Sequence, residues 1–552
     1  MTVNKKRVHT LTEDKMAKDA HGNFMGGPAY DVKNPILRLM CISASSFFAE
    51  PMYYKGQAPK YKKKGGGSRV GRSLSNAERK SLRSTLNAID DYEWRNLSPQ
   101  KSMEKAIDEA LAFNAEETLR WAVVLRREEF IRVTPQVILV RAANHPNVRG
   151  TGLVRHYGKL ITMRADEPAT QMAYQISAYG KPIPNALRRV WADFLTGANE
   201  YVLAKYRMED RVVKTVDVAN MAFGKGAYGL ELPIGKLVRG ELKLGGDSRT
   251  WESIRSDGGS WEEAVEVMGH MALLRNVRNL LENKVDTKLW LDKLVAGAKT
   301  GKQMPFRYLS AHLFNKSAPG YVLDAIEECL MISIGNLPRF NGRTLSLSDN
   351  SGSAHGAPIS QLSTMSVAQI GNLMGVLTGM VSDEGVSGVF GDRLSLTNIR
   401  KRASVFDQVE ELNRLGSRVG GGTENGIWLA LDKAIRGKEW WDNIFVYSDM
   451  QAGHGGLYGT DYSAYSDFAW MGDGRYIDVA KLIKTYRNQV NPKVNVFLVQ
   501  IAGYGDTLLP EYYDRTYILG GWSPNILKFA KRMTETLDTF DEGARLRGTL
   551  KQ

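Results

Sequence analysis

Apolar residues recur at helical spacing through most of the first 335 residues. The first such pattern begins near Pro35, where Ile36, Leu39 and Met40 fall on one face of a predicted helix. Further helices are predicted at Ala77–Tyr92, Ser102–Phe113, Ala115–Arg127, Thr134–Ala143, Leu153–Thr162, Pro168–Ala178, Pro184–Thr196, Asn199–Tyr206, Thr215–Ala222, Trp261–Leu281 and Asp286–Thr300. Short connectors join them, so we expect antiparallel helix pairs that stack into a superhelix, because each pair must bury its apolar stripe against the next.

The pattern changes after residue 341, where short strands alternate with helices. Strands are predicted at Leu345–Ser348, Val386–Phe390, Ile444–Tyr447 and Val494–Ile501, and helices at Met365–Met380, Ser404–Leu415, Glu424–Ile435, Tyr476–Asn488 and Pro524–Leu537. This alternation predicts an α/β domain with a doubly wound parallel sheet. One feature opposes it, because Ser346 and Ser348 alternate with leucines, whereas central parallel strands are usually apolar on both faces.

Length and composition bound the class of protein. With 552 residues, 43% hydrophobic and 24% charged, the chain is typical of a multidomain globular protein. We predict a flexible N-terminus at 1–30, a helical-repeat domain at 31–340 and an α/β domain at 341–545. The two cysteines, Cys41 and Cys329, make a disulfide framework unexpected. Without an apolar leader or an apolar run of about 18 residues, we expect a cytoplasmic monomer with no membrane partner.

Charge is distributed unequally along the chain. Residues 1–340 contain 52 Lys and Arg against 37 Asp and Glu, whereas residues 341–552 contain 22 against 23. The segment 55–72 alone carries seven basic residues, among them Lys62 and Lys63, and no acidic one. This excess indicates a polyanionic partner such as nucleic acid, or alternatively a basic surface without a specific ligand. The segment 55–72 is predicted to be a loop that either contacts phosphates or is a solubilising insertion.

Polar side chains follow two predicted strands and one glycine-rich turn. Asp349, Ser351 and Ser353 come after the first strand, Thr423 follows three glycines, and Asp449 ends a later strand. The carboxyl ends of parallel strands meet at one sheet edge, and such hard oxygens suit Mg²⁺. We predict that a divalent cation, Mg²⁺ or another, is bound directly by the hydroxyls and through water by the carboxylates. The alternative is a serine-rich turn whose aspartate caps a helix.

This ordered set resembles the metal-ion-dependent adhesion site of a von Willebrand factor A domain. A basic helical part followed by such a domain resembles the Ro RNA-binding protein family of bacterial or phage type, whose N-terminal unit is the TROVE domain. The similar stretches are Leu37-Arg-Leu-Met-Cys41-Ile-Ser-Ala-Ser with Tyr53-Tyr54, Met271-Ala-Leu-Leu-Arg275-Asn276, Pro305-Phe-Arg-Tyr and Ala325-Ile-Glu-Glu. The resemblance covers roughly residues 30 to 540.

The resemblance implies a fold and a function. The fold would be a ring of HEAT-like helical repeats followed by the A domain. The function would be non-catalytic: such proteins bind small Y-class RNAs on the outer surface, take single-stranded 3′ ends of misfolded RNA into a basic hole, and in bacteria are linked to an exoribonuclease. Candidate RNA-binding residues are Lys205, Arg207, Arg275, Arg188, Arg120, Lys62 and Lys63. Phe223 stands where the family has a histidine. Arg275 has a structural alternative, an ion pair with a helix near Ala325–Cys329.

Two other functions fit parts of the pattern. In the first, the α/β domain binds an acidic group of a partner protein through the metal, and the helices are only a scaffold. In the second, the protein is a Mg²⁺-dependent hydrolase that uses Asp349 as nucleophile or Asp449 as base, with His355 or His454 nearby in sequence. The basic excess argues against the first, and the scarcity of catalytic neighbours argues against the second.

Overall fold

The computed structural model describes residues 21–22, 28–31, 34–45, 99–208, 211–242, 249–301, 303, 305–356, 365–421, 425–450, 469–470, 473–501, 506–507, 515–521 and 525–535. The predicted helix Ala77–Tyr92 and the basic segment 55–72 therefore lie outside the described residues. The described residues divide into two compact units, 99–249 in one and 21–45 with 250–535 in the other. This division falls within the range predicted for the helical domain.

The unit of residues 99–249 is helical. Its helices are α2 (Pro99–Arg127), α3 (Val133–Asn144), α4 (Leu153–Ile161), α5 (Glu167–Ala178), α6 (Asn185–Gly197), α7 (Glu200–Lys205), α8 (Thr215–Phe223) and α9 (Pro233–Val238), in the chain order that follows α1 (Pro35–Ser45). Helix α2 is kinked at Asn114, whose φ of −156° is not helical, so the two helices predicted here meet without a loop. Contacts run between neighbours and next neighbours, α2 with α3 and α4, and α4 with α6.

The second unit begins with further helices. These are α10 (Trp251–Ser256), α11 (Trp261–Val267), α12 (His270–Glu282), α13 (Leu291–Gly301), α14 (Pro305–Phe314) and α15 (Gly320–Ile334). The single helix predicted for Trp261–Leu281 is wrong, because the chain is extended at Met268 and Gly269. Glycine is a tolerated N-cap residue, and here it starts a new helix. Helix α15 packs on α13 and α14.

A six-stranded sheet forms the rest of this unit. Its strands are β3 (Phe340–Asp349), β4 (Ser382–Phe390), β5 (Leu394–Asn398), β6 (Asn443–Ser448), β9 (Asn495–Gln500) and β11 (Thr516–Gly520), in the spatial order β11-β9-β6-β3-β4-β5. All neighbours are parallel except β4 and β5, which are antiparallel. The prediction of a purely parallel sheet therefore needs one correction, since β5 is a short return strand at the edge.

Helices cover both faces of this sheet. They are α16 (Gly352–Gly356), α17 (Val367–Met380), α18 (Val405–Gly416), α19 (Asn425–Gly437), α20 (Val479–Gln489) and α21 (Asn525–Glu535). Leu345 and Leu347 belong to the core cluster with residues of α19 and α20. Helix α17 contacts β3, β4 and β6. The strand β3 is thus buried on two chemically different faces.

The serines of β3 face a helix that carries glycines at every fourth position. Ser346 and Ser348 are fully buried, and the Ser346 hydroxyl donates to the Gly375 carbonyl at 3.3 Å. A Cβ added at Gly371 would lie 2.5 Å from Ser348 Oγ. Small side chains on both elements therefore allow α17 to approach the sheet closely. The alternation of serine and leucine in β3, which opposed the prediction of a central parallel strand, is explained by this close contact between helix and sheet.

Short strands occur in segments where none was predicted. Residues His21–Gly22 (β1) and Pro28–Asp31 (β2) pair, and β2 also pairs with Asp506–Thr507 (β10), although 1–30 was predicted to be flexible. Ala469–Trp470 (β7) and Asp473–Ile477 (β8) form a second small antiparallel pair. Among the described residues no helix is long and apolar enough to cross a membrane.

Candidate functional site

Asp349 closes β3 at the carboxyl edge of the sheet, as the sequence predicted. Its side chain is fully buried, and its two oxygens accept hydrogen bonds from Ser351 N at 2.9 Å and from Ser448 Oγ at 2.7 Å. Burial raises the pKa of the Asp349 carboxyl above its ordinary value, although the serine donors oppose that shift. A cation beside this carboxylate would favour its charged form.

The two serines link Asp349 to the second aspartate. Ser351 Oγ lies 3.0 Å from Ser353 Oγ, and Ser353 Oγ donates to Asp449 Oδ2 at 2.8 Å. Ser351, Ser353 and Asp449 are all buried. The structure therefore brings together four of the five residues predicted to bind the metal, in one continuous chain of hydrogen bonds.

The donor set fits a hard divalent cation. It consists of two carboxylates and two hydroxyls, the oxygen ligands that Mg²⁺ takes. Within the described ranges no group of three or more His, Cys, Asp or Glu side chains is arranged to hold a metal, so an ion here would depend on serine hydroxyls. Thr423 lies outside the described residues. The glycine turn before it reaches the serine loop, where Gly352 N donates to Gly421 O at 2.9 Å.

Three hydrogen-bonded amide side chains hold this loop, and two of them, Asn350 and Asn372, are buried. Asn350 Nδ2 donates to Asn372 Oδ1 at 2.9 Å, and Asn372 Nδ2 donates to Asn413 Oδ1 at 2.8 Å, which connects β3 to α17 and α18. A Cβ at Gly416 would lie 2.0 Å from Asn350 Oδ1, so glycine is needed there. Asn350 and Ser448 were not predicted to belong to the site, although both stand beside predicted ligands at strand ends.

The predicted RNA-binding arginines have different surroundings. Arg120 is held on its own helix, at 2.6 Å from Glu116 and 3.4 Å from Glu117, and it donates to the Tyr157 hydroxyl at 3.1 Å. The hydrogen bond to Tyr157 is the main cause that raises the pKa of Arg120. Arg188 donates through Nε to the Met221 carbonyl at 2.8 Å. Both contacts serve the packing of the helical unit.

The segment with Lys205 and Arg207 is only partly available to a ligand. Lys205 is exposed at the end of α7, with Nζ 5.7 Å from the Tyr201 ring centroid and 5.8 Å from that of Tyr206. Arg207 is half-buried and donates from Nη1 to the Leu242 carbonyl at 3.1 Å. Phe223 ends α8 and is half-buried. Lys205 is therefore the member of this segment whose cation stays at the surface.

Arg275 lies in the other compact unit, on α12. It is exposed, and no ion pair is formed between it and another described residue, the segment Ala325–Cys329 included. Its charge contributes, after burial, to lowering the pKa of Arg307 on α14. The nearby charge that acts on Arg275 and Arg307 is therefore of the same sign. Lys62 and Lys63 lie outside the described residues.

Comparison with known proteins gives a structural relative. No protein-family model matches the chain, and no curated protein matches it. Among solved structures, the crystal structure of the Ro (RSR) protein of Deinococcus radiodurans is similar, with a TM-score of 0.56 and 14% sequence identity. The similarity covers 91% of this chain and 99% of that chain. Identity this low speaks for the fold alone, and the fold of this chain matches that of the Ro family.

Proposed function

We propose that this chain is a non-catalytic RNA-binding protein that holds a small structured non-coding RNA and the single-stranded 3′ ends of misfolded RNA. The observation that carries the proposal is the charge of a Ro-like fold, whose basic excess lies wholly within residues 1–340. Lysine and arginine contacts to phosphates supply affinity that does not depend on sequence. A role in RNA quality control follows, with an exoribonuclease as a further partner reached through the small RNA.

The finer architecture belongs to the same proposal. Contacts between successive helices of residues 99–249 support HEAT-like repeats, and the ring arrangement is proposed from the resemblance to the Ro family. The carboxyl-edge cluster of Asp349, Ser351, Ser353 and Asp449 supports a von Willebrand factor A domain that holds Mg²⁺, with Thr423 as a further ligand. The bound ion would present an open coordination position to an acidic group. Ser351 and Ser353 would bind the ion directly, and Asp349 and Asp449 would hold it through water.

A gel-retardation experiment tests the RNA-binding proposal. Three labelled RNAs are compared at low salt: a blunt duplex, the same duplex with a single-stranded 3′ tail, and a folded stem-loop. The tailed duplex and the stem-loop should be retarded, and the blunt duplex should bind more weakly because it offers no unpaired end. All three RNAs should stay uncleaved in Mg²⁺, as expected of a protein that is not an enzyme. Absence of retardation for all three at low salt would refute the proposal.

The serine–carboxylate cluster also supports a second function, metal-dependent binding of a partner protein. RNA retardation by the wild type and by the Asp349→Ala variant distinguishes the two functions. If RNA binding is the function of the helical part, this variant should retard RNA as the wild type does, because Asp349 lies at the sheet edge. If the helices are only a scaffold, no RNA is retarded by either protein. Cleavage of RNA by the wild type and not by Asp349→Ala would instead indicate a hydrolase.

A further inference from the structure

A groove of about 2000 Å³ lies within the helical unit of residues 99–249. The loops that precede α4 and α6 border it. Its lining includes Arg149, Lys181, Arg188 and Arg189, and no Asp or Glu stands among the described residues that line it. The groove wall is therefore strongly positive. A cleft lined by charges of one sign raises the local concentration of an oppositely charged ligand.

Three cations of this groove have no acidic partner among the residues that the structure describes. Arg149, Lys181 and Arg189 are exposed, and none forms an ion pair with another residue in the described ranges. Arg155 and Lys159, which also line the groove, share Asp193 at 2.9 and 3.5 Å. Even with that one acid counted, the groove keeps an uncompensated positive charge.

The backbone of two helices adds to this positive charge. Helices α4 and α6 both begin at the groove, and their N-cap residues Gly152 and Pro184 offer no side-chain cap. Leu153 N donates to Thr151 Oγ1 at 3.3 Å, and the other first-turn amides of these helices have no hydrogen-bond partner among the described residues. The N-termini of two helices therefore border the groove, and the positive ends of their dipoles add to its positive charge.

The segment of Lys205 and Arg207, which the family resemblance indicated, has fewer cations available to bind phosphate. Arg207 donates a hydrogen bond to the Leu242 carbonyl, and the Lys205 ammonium lies over the rings of its neighbouring tyrosines. In the groove, Arg188 is anchored by the Met221 carbonyl and so helps to shape the wall, while Arg149, Lys181 and Arg189 remain available. Unpaired cations that converge on a concave surface suit phosphate groups better than isolated ones do.

We propose that this groove binds the phosphate backbone of RNA and is a principal RNA contact of this chain. The inference rests on the proposed function and names the surface that performs it. Contacts made through phosphates fix the position of the RNA and carry no sequence information. The groove should therefore accept unrelated RNA sequences with similar affinity.

Fluorescence anisotropy with a labelled single-stranded RNA at several KCl concentrations tests the groove. The groove variant combines Lys181→Ala with Arg189→Ala. The control combines Lys288→Ala with Arg339→Ala, which removes the same charge from exposed residues of the other compact unit. We expect the groove variant to lose about tenfold or more in affinity and the magnitude of its salt slope to fall by about two. The control should stay within about twofold of the wild type.

The outcomes distinguish the groove from the proposed function. If the wild type binds RNA and the groove variant binds like the control, the groove proposal is overturned and RNA binding stands; Lys205→Ala then locates the contact. If the wild type binds no RNA at low salt, both proposals are overturned. Thermal unfolding checks that the groove variant is folded. Should it not be, Lys181→Glu alone, at an exposed side chain, gives the same test, with a larger loss expected because the charge is reversed.

Discussion

Ser353 holds the position between the two predicted metal-binding loops, since its hydroxyl donates to Asp449 and contacts Ser351. We predict that Ser353→Ala lowers the affinity for Mn²⁺, used as a probe of the site, by about 10- to 100-fold, as loss of a ligand or of its support does elsewhere. Electron paramagnetic resonance of free Mn²⁺ measures it. Ser346→Ala is the control, because Ser346 is a buried serine in β3 that lies away from the carboxyl edge of the sheet. Equal Mn²⁺ affinity in both variants would refute the prediction of a metal site at these residues.

His270 is a buried residue whose titration should affect stability. Its Nδ1 faces the Leu294 carbonyl at 2.8 Å, its Nε2 faces the Tyr308 hydroxyl at 3.0 Å, and Gly297 and Gly301 make room for the ring. Because a carbonyl only accepts, Nδ1 carries the proton and Nε2 accepts from Tyr308. Burial lowers the pKa of His270, against the smaller effect of the Leu294 carbonyl.

A lowered pKa in the folded state means that the unfolded chain takes up the proton first as the pH falls. The contribution of His270 to the free energy of unfolding is therefore present above pH about 6.5 and is lost below it, by at most about 1.4 kcal/mol per pH unit. Urea unfolding of the wild type and of His270→Gln between pH 7.5 and 5.5 measures the difference. We expect a shallower pH dependence in the variant, and parallel curves would assign His270 no such role.

The sequence does not predict which basic residues form ion pairs within the protein. Arg126 and Arg141 recur at the same helical spacing as the other arginines, yet both are buried and paired, with Glu167 and Asp108 respectively. These partners lie 41 and 33 residues away in sequence. Helical periodicity cannot distinguish such a pair from a free cation, because the pairing depends on how helices pack. Arg149 and Lys181 were not predicted to bind RNA for a related reason, because they stand in loops, where there is no helical periodicity.

Helix α17 offers a direct test of the close contact between helix and sheet. A Cβ at Gly379 would lie 2.5 Å from Ile399 Cγ1, whereas one at Gly375 would meet only ordinary contacts, the nearest being Ser387 Oγ at 3.4 Å. We predict that Gly379→Ala lowers the free energy of unfolding by about 1–3 kcal/mol through overpacking. Gly375→Ala should raise it by up to about 1 kcal/mol, because alanine favours the helix. Denaturant unfolding measures both, and equal effects would contradict the packing described.

The predicted elements of the sheet unit follow the local pattern closely. Strands β3, β4, β6 and β9 and the helices between them lie where apolar runs and their spacing placed them. The strands β5 and β11 were missed. In β5 the side chains are only partly buried, so the apolar pattern that marks a core strand is weak. Its antiparallel direction depends on a tight return after Phe390, which composition alone does not encode.

For the whole molecule, the sequence indicated the fold because several motifs occur in a fixed order along the chain. The Asp-x-Ser-x-Ser run, the glycine turn and the later strand ending in Asp449 predicted one sheet edge, and four of the five side chains meet there. Thr423 stays a prediction. The division into compact units at residue 249 was not predicted, because boundaries depend on which helices pack together rather than on their periodicity.

The central claim is that RNA binds the basic helical part of this chain. Photo-crosslinking of 4-thiouridine RNA to the full chain, followed by digestion and mass spectrometry, locates the contact directly. We predict crosslinked peptides from the helical unit, concentrated in residues 145–190, where the unpaired cations of the groove lie. Crosslinks confined to residues 341–552, or none above background at low salt, would contradict the account.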